Sequence, residues 1–292
     1  MILNVKSKGT KMINAAKKSL LVLTFISLMQ GCGSDSSGGP GGSRASIGQT
    51  GSMARFAIVG DHLYLLSSRK TLVGDPTRPR ARVTTPMIFA FSLENPEQPV
   101  QVSATPISVE QPETLVTDGS RLFVGAQTGM SIFDLEAPES PVERGTLRHV
   151  RSCDPVVTKG DLAFVTLRSG GICGRGSNQL LIVNIADIEN PKTINTFPMS
   201  SPWGLGVMHD RAYICDGANG LRVLDVKDPH DIKAITGGSD DFCFDVIAME
   251  SRLITTGALG ISQYRIETES DRPERLSRIE AKPESTALGV ER

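Results

Sequence analysis

The chain has 292 residues, with 31 Lys and Arg against 32 Asp and Glu, and that balance excludes a nucleic-acid binder driven by net positive charge. Hydrophobic residues make up 39 % and charged residues 22 %, with 29 Gly and 17 Pro, a globular, turn-rich composition that is neither disordered nor collagenous. Ten Phe, three Tyr and one Trp argue against a broad aromatic platform for sugars or bases.

Lys6, Lys8, Lys11, Lys17 and Lys18 precede an apolar run from Leu20 to Met29. A basic segment followed by about ten apolar residues has the form of a secretory signal and is too short for an ordinary membrane span. Leu28-Met29-Gln30-Gly31-Cys32 resembles the lipobox of bacterial lipoproteins. The resemblance implies cleavage after residue 31 and acylation of Cys32, giving a signal peptide over 1–31 and a membrane partner reached through lipid. Gly33, in place of Asp, follows Cys32, which in that class implies the outer membrane over the inner one. Residues 33–43 are Gly, Ser, Asp and Pro only, the composition of a flexible tether, so 32–49 reads as a lipidated cysteine and its spacer. Loss of 1–31 removes five Lys and leaves 26 basic against 32 acidic residues, net −6. Acyl chains, not charge, must then do the anchoring.

From residue 50 the chain repeats. The pairs Leu63-Tyr64, Leu122-Phe123, Ala163-Phe164, Ala212-Tyr213 and Leu253-Ile254 recur at spacings of 59, 41, 49 and 41 residues. A second β-rich run follows each: 87–93, 130–135, 180–185, 221–226 and 261–266. Alternating apolar and polar residues bounded by turn chemistry are the strand signature. The first four runs close on Glu94-Asn95-Pro96, Glu136-Ala137-Pro138, 186–191 and Lys227-Asp228-Pro229. Pro suits these turns because it fixes φ and lacks a donor. One unit reads as four strands, in the fourth unit 204–208, 211–215, 221–226 and 232–235. A forty-odd-residue, four-strand repeat is a propeller blade, and the regularity favours that over a β-sandwich. The expected fold is all-β, a five-bladed β-propeller over 50–285, with blades near 53–107, 108–150, 151–199, 200–239 and 240–284. Ring closure is open between Arg275–Ile279 as the last outer strand and Ala45–Gln49 reaching round.

Leu181-Ile182-Val183-Asn184-Ile185 and Leu221-Arg222-Val223-Leu224-Asp225-Val226 resemble the LVIVD repeat. Residues 148–157, 164–170, 204–206 and 214–217 are similar to segments of lipoproteins that carry it. The resemblance covers about residues 50–280, is weakest at Tyr264-Arg265-Ile266, and implies fold and envelope location with almost no chemistry.

In such a blade the loops between second and third strands share a face with the blade-to-blade connections. Those loops are long in the first unit (Ser68 to Pro86) and the third (Arg168 to Asn178), and long loops on a rigid scaffold are where binding usually sits. The first carries Arg69, Lys70, Arg78, Arg80 and Arg82. Starts of the inner strands bring Arg55, Glu113, Asp154, Trp203, Phe244 and Asp245 to the same face, with Asp216 and Asp241 nearby. Axial carboxylates such as Glu113, Asp154 and Asp245 are what a glycosidase would use, yet the same positions serve to bind loop amides in any propeller. His62, His149, His209 and His230 lack metal-ligand spacing, and no phosphate loop, Gly-x-Ser-x-Gly elbow or Cys-x-x-Cys pair occurs. No metal or cofactor is expected. Four cysteines beyond Cys32 fit an oxidising compartment. Cys153 and Cys173 are expected to bond, worth roughly 3 kcal/mol for a loop of about twenty residues, and Cys215 and Cys243 are a second candidate pair. The expected function is a non-catalytic, envelope-anchored scaffold that binds a protein or polysaccharide through its long-loop face. The alternative is a carbohydrate-active hydrolase or lyase that uses axial carboxylates.

Overall fold

The computed structural model describes residues 52–73, 81–149, 152, 155–170, 173, 176–236, 241–267 and 272–281. They form five four-stranded antiparallel sheets, each built from one continuous stretch of chain. Blade 1 holds β1 (Phe56–Val59), β2 (His62–Val73), β3 (Ala81–Ser92) and β4 (Val100–Pro106). Blade 2 holds β5 (Pro112–Thr117), β6 (Arg121–Ala126), β7 (Gly129–Asp134) and β8 (Val142–Arg148). Blade 3 holds β9 (Val156–Lys159), β10 (Leu162–Leu167), β11 (Gln179–Asn184) and β12 (Lys192–Pro198). Blade 4 holds β13 (Leu205–Met208), β14 (Arg211–Cys215), β15 (Leu221–Asp225) and β16 (Lys233–Thr236). Blade 5 holds β17 (Asp245–Met249), β18 (Arg252–Gly257), β19 (Gly260–Arg265) and β20 (Glu274–Glu280). First strands of successive blades touch one another from β1 through β17, so they line the axis. The architecture is a five-bladed β-propeller.

Two devices recur and explain the sequence repeat. The third strand pairs the fourth with a register shift at the same place in every blade: Ala90/Phe91, Ile132/Phe133, Ile182/Val183, Val223/Leu224 and Gln263/Tyr264. A bulge there adds twist and bends the outer edge. The residue that ends the third strand then caps the following turn. Ser92, Asp134, Asn184 and Asp225 accept hydrogen bonds from the backbone N–H two residues on. A short acceptor side chain is needed for that turn, which gives the repeat its terminal Asp or Asn. Blade 5 has Arg265 instead, and it bonds Glu274 on β20 at 3.1 Å.

The core lies between blades. Four apolar clusters seal the seams of blades 1 and 2, 2 and 3, 3 and 4, and 4 and 5. Because side chains alternate along a strand, each blade sends one set back to its predecessor and the other forward. The seam between blades 5 and 1 differs. On blade 1, Phe56 is 46 % and Leu65 38 % exposed, and on blade 5 Ile261 is 44 % exposed. Their repeat equivalents Val156, Val165 and Leu180 are buried in the sealed seams. Ile58, Leu63, Ile247 and Ile254 on the same walls are only half-buried.

The last outer strand is β20, which includes Arg275–Ile279 and pairs β19; Ala45–Gln49 lie outside the described residues. At the axis, Ser52 Oγ donates to Asp245 Oδ1 at 2.9 Å and accepts from Leu205 N–H at 2.8 Å. Two residues on, Ala54 O accepts from Leu115 N–H on blade 2. The entering chain thus ties blades 4 and 5 to blade 2 across the end of the axis. Much of the long loop expected over Ser68–Pro86 is strand: β2 and β3 pair from His62↔Ser92 out to Val73↔Ala81. No helix among the described residues is long and apolar enough to cross a membrane.

Candidate axial-face site

Four of the blades place described side chains at the end of the axis where the inner strands begin. Blade 1 gives Arg55, just before β1, whose Nη1 donates to the carbonyls of Pro112 and Glu113 at 3.4 and 3.5 Å. Blade 2 gives Glu113 on β5, whose Oε1 accepts from Gln127 Nε2 at 2.7 Å. Blade 4 gives Trp203 and blade 5 gives Phe244 and Asp245.

Asp245 is held by protein donors. Besides Ser52 Oγ, its carboxylate accepts from Val246 N–H at 2.9 Å. Gly204 permits this approach, since a Cβ there would strike the carboxylate and stand 2.7 Å from the Asp245 Cα. Burial pushes the Asp245 pKa up, against the lowering effect of its hydrogen bonds to Ser52, Val246 and Met53. Asp216 is fully buried and accepts from Ser200 N–H, Ser201 N–H, Asn219 Nδ2 and Arg222 Nη1. It organises the turn from β14 to β15. Asp241 accepts from Arg278 and from Arg275 Nη1, the latter at 2.7 Å; those bonds hold its carboxyl below the usual range.

Three of the chain's few aromatics gather here. Trp203 lies 5.3 Å from Phe244 and 6.1 Å from Phe242, and Phe242 lies 5.0 Å from Phe244, all edge-on. Arg168, at the end of the second strand of blade 3, covers the Trp203 ring with its guanidinium carbon 3.6 Å from the centroid. Burial lowers the Arg168 pKa, and the Glu113 carboxylate opposes that shift. The platform is fixed from behind. Trp203 N–H donates to Cys215 O at 2.7 Å, and Thr166 Oγ1 donates to Trp203 O at 2.8 Å. Cys215 is disulfide-bonded to Cys243, with Cα atoms 5.3 Å apart. That bridge sits between Phe242 and Phe244 in sequence and pins both beside the indole.

Cys173 is buried and disulfide-bonded; its expected partner Cys153 lies outside the described residues, as do Cys32, Arg78, Arg80 and Asp154. The structure therefore brings together Arg55, Glu113, Trp203 and Asp245, and places Asp216 and Asp241 in local networks. Sequence reasoning missed Arg168 and Gln127 as members of the site. A signal existed: they occupy one repeat position, matched by Ser68, Gly217 and Ala258, and Arg168 is the only charged residue there. Among the described residues no cluster of three or more His, Cys, Asp or Glu could hold a metal ion.

A rigid ring whose loop-bearing end carries an aromatic and cationic cluster defines the class: a β-propeller with an axial-face site. No protein-family model matches the chain, and no curated protein matches it. Solved propellers do. A candidate 6-phosphogluconolactonase from Bacteroides uniformis is 14 % identical over 74 % of this chain and 67 % of its own, with a TM-score of 0.57. A protein from Lactobacillus plantarum is 11 % identical over 75 % and 81 %, with a TM-score of 0.56. The periplasmic gluconolactonase PpgL of Pseudomonas aeruginosa is 10 % identical over 76 % and 68 %, with a TM-score of 0.53. At these identities the likeness is one of fold.

Proposed function

We propose that the protein is an envelope-anchored, non-catalytic propeller scaffold that binds a protein or polysaccharide through its long-loop, axial face. One observation carries this reading: the described axial carboxylates are engaged by the protein's own donors. Asp245 is held by Ser52 and amides, and Glu113 by Gln127. Glycoside hydrolysis by the usual route needs two carboxyl groups about 5 to 9 Å apart, facing substrate or water. A carboxylate tied to amides on the protein serves the scaffold first.

The anchor part of the proposal rests on the lipobox-like Cys32, the Gly/Ser tether and the LVIVD-like strands. The Cys215–Cys243 disulfide supports an exported protein, because such bonds persist in oxidising compartments. The periplasmic location named for the Pseudomonas aeruginosa propeller is compatible with it.

Crosslinked envelopes carrying the full chain, compared with a variant lacking Arg69–Pro86, test the binding face. A partner captured by the first and lost in the second is expected, and Cys32→Ser should move the protein into the soluble fraction. Glycan turnover by the purified domain, abolished by Glu113→Gln or Asp154→Asn, would replace the scaffold with the hydrolase or lyase reading. A Cys32→Ser chain that stays membrane-bound would overturn the lipid anchor.

A further inference from the structure

Arg168 presents an unusual combination. Its guanidinium is half-buried against the chain's only Trp, yet among the described residues it donates no hydrogen bond and forms no ion pair. An Arg with its face on an aromatic ring keeps its N–H edge free, and that edge is a planar fork suited to a carboxylate or phosphate. Buried donors ordinarily find acceptors. The indole Nε1–H beneath it is buried without a partner, so no side-chain hydrogen bond joins the two groups of the stack. Thr166, the Cys215 carbonyl and the Cys215–Cys243 bridge fix that stack from three blades. The arrangement is cationic, and among the described residues the Arg168 fork meets no acceptor.

We propose that Arg168 binds the carboxylate of a uronic acid residue in an acidic polysaccharide, with the sugar ring resting on the Trp203–Phe242 edge. This deepens the scaffold reading and rests on it. Monoanion is favoured over phosphate dianion because Glu113 already acts on Arg168 electrostatically, so a second negative charge on the ligand meets repulsion. Arg55, a second cation of this face, is engaged with the carbonyls of Pro112 and Glu113. A sugar carboxylate is favoured over a peptide one by the neighbouring apolar surface. Phe242 is 37 % exposed and packs edge-on against Trp203, so an apolar surface lies beside the Arg168 fork for the face of a sugar ring. A carboxylate fixed directly to such a ring reaches fork and shelf together, whereas an Asp or Glu side chain brings flexible methylenes.

Trp203, as the only indole, reports the site by its fluorescence. The full chain is titrated with oligogalacturonate, its methyl ester, glucose 6-phosphate and polyglutamate, with calorimetry in parallel. Saturable binding of oligogalacturonate alone is expected. Arg168→Gln should weaken it about ten- to a hundred-fold, the range for losing a charge-assisted pair. Arg168→Lys should recover only part, because a point charge lacks the fork. Phe242→Ala should weaken binding with the charge intact, so the proposal does not depend on one variant folding. Equal binding of the methyl ester, or wild-type affinity in Arg168→Gln, overturns the proposal. Binding of polyglutamate or the sugar phosphate instead also overturns it and leaves the scaffold reading standing. If nothing binds while envelope crosslinks still depend on Arg69–Pro86, the uronate assignment alone fails; cleavage of the oligomer would mean that the scaffold reading itself has failed.

Discussion

Removing the Cys215–Cys243 bridge by a double Cys→Ser substitution should loosen the seam of blades 4 and 5 and the aromatic platform with it. The bridge closes a loop with a sequence separation of 28, for which the chain-entropy account gives about 3.5 kcal/mol. For a domain of this size each kcal/mol moves the midpoint by about 2–4 °C, so a fall of about 7–14 °C is expected. The structural cost adds locally. Both sulfurs are buried among Tyr213, Val223, Val246 and Tyr264, and two Ser hydroxyls there need partners. Thermal melts followed by far-UV circular dichroism and by Trp203 emission read both effects. The emission should shift before the global transition, because Phe242 and Phe244 flank Cys243 and Trp203 N–H bonds the Cys215 carbonyl. A double variant that melts within 2 °C of wild type by this scale, with unchanged emission, would refute the view that the bridge holds the platform.

Ser52→Ala should cost about 1–3 kcal/mol, since it leaves the buried Leu205 N–H without its acceptor and removes a donor from Asp245; an unchanged denaturant midpoint would show that the entering chain does not hold the ring. Asp245 titrates above its ordinary 3.8 in the fold. The native state therefore keeps that proton to higher pH than the unfolded chain, and the associated stability is complete below 3.8 and lost as pH rises through the folded value. Asp245→Asn removes this slope, so wild type should lose midpoint temperature relative to the variant as pH rises, and a constant difference would contradict it. Asp241 works the other way, because Arg278 and Arg275 lower its pKa; its contribution is present above 3.8 and lost in acid. Leu122→Ala, in the sealed seam of blades 1 and 2, should cost about 2–5 kcal/mol. Leu65→Ala, on the exposed wall facing blade 5, should cost well under half as much. Equal losses by chemical denaturation would mean that all five seams are packed alike.

Most of the architecture was legible because the repeat is local chemistry. The strands of blade 4 fall within about a residue of the positions read from alternation and turns, a margin common at strand ends. The capping role of Ser92, Asp134, Asn184 and Asp225 explains why the repeat ends in a short acceptor. The extension of β2 and β3 was hidden because Arg69–Thr85 lacks period-two hydrophobicity. The open seam was invisible for a different reason. Phe56, Leu65 and Ile261 are as apolar as their buried equivalents, and alternation says which way they point, not whether a neighbour arrives. At the site, Arg55, Glu113, Trp203 and Asp245 were found from their place before or at the start of the inner strands. Ser52 comes from the entering chain and Arg168 from the blade next to Trp203, non-local pairings that alternation along one strand does not show; Gln127 joins Glu113 within blade 2, and only its repeat position, shared with Arg168, marks it. The Cys215–Cys243 pair was legible from two strand ends on one face, which is where the structure joins them.

The central claim is that the axial, long-loop face of the propeller is its binding surface. A photoreactive residue placed at position 242, beside the Trp203 platform, tests it most directly against one at position 142, where Val142 is 48 % exposed on the outer strand of blade 2. On exported full-length protein in intact envelopes, a discrete adduct from position 242, absent from position 142 and suppressed by Arg168→Gln, is the expected result. Identical adducts from both positions, or an adduct from position 142 alone, would contradict the claim.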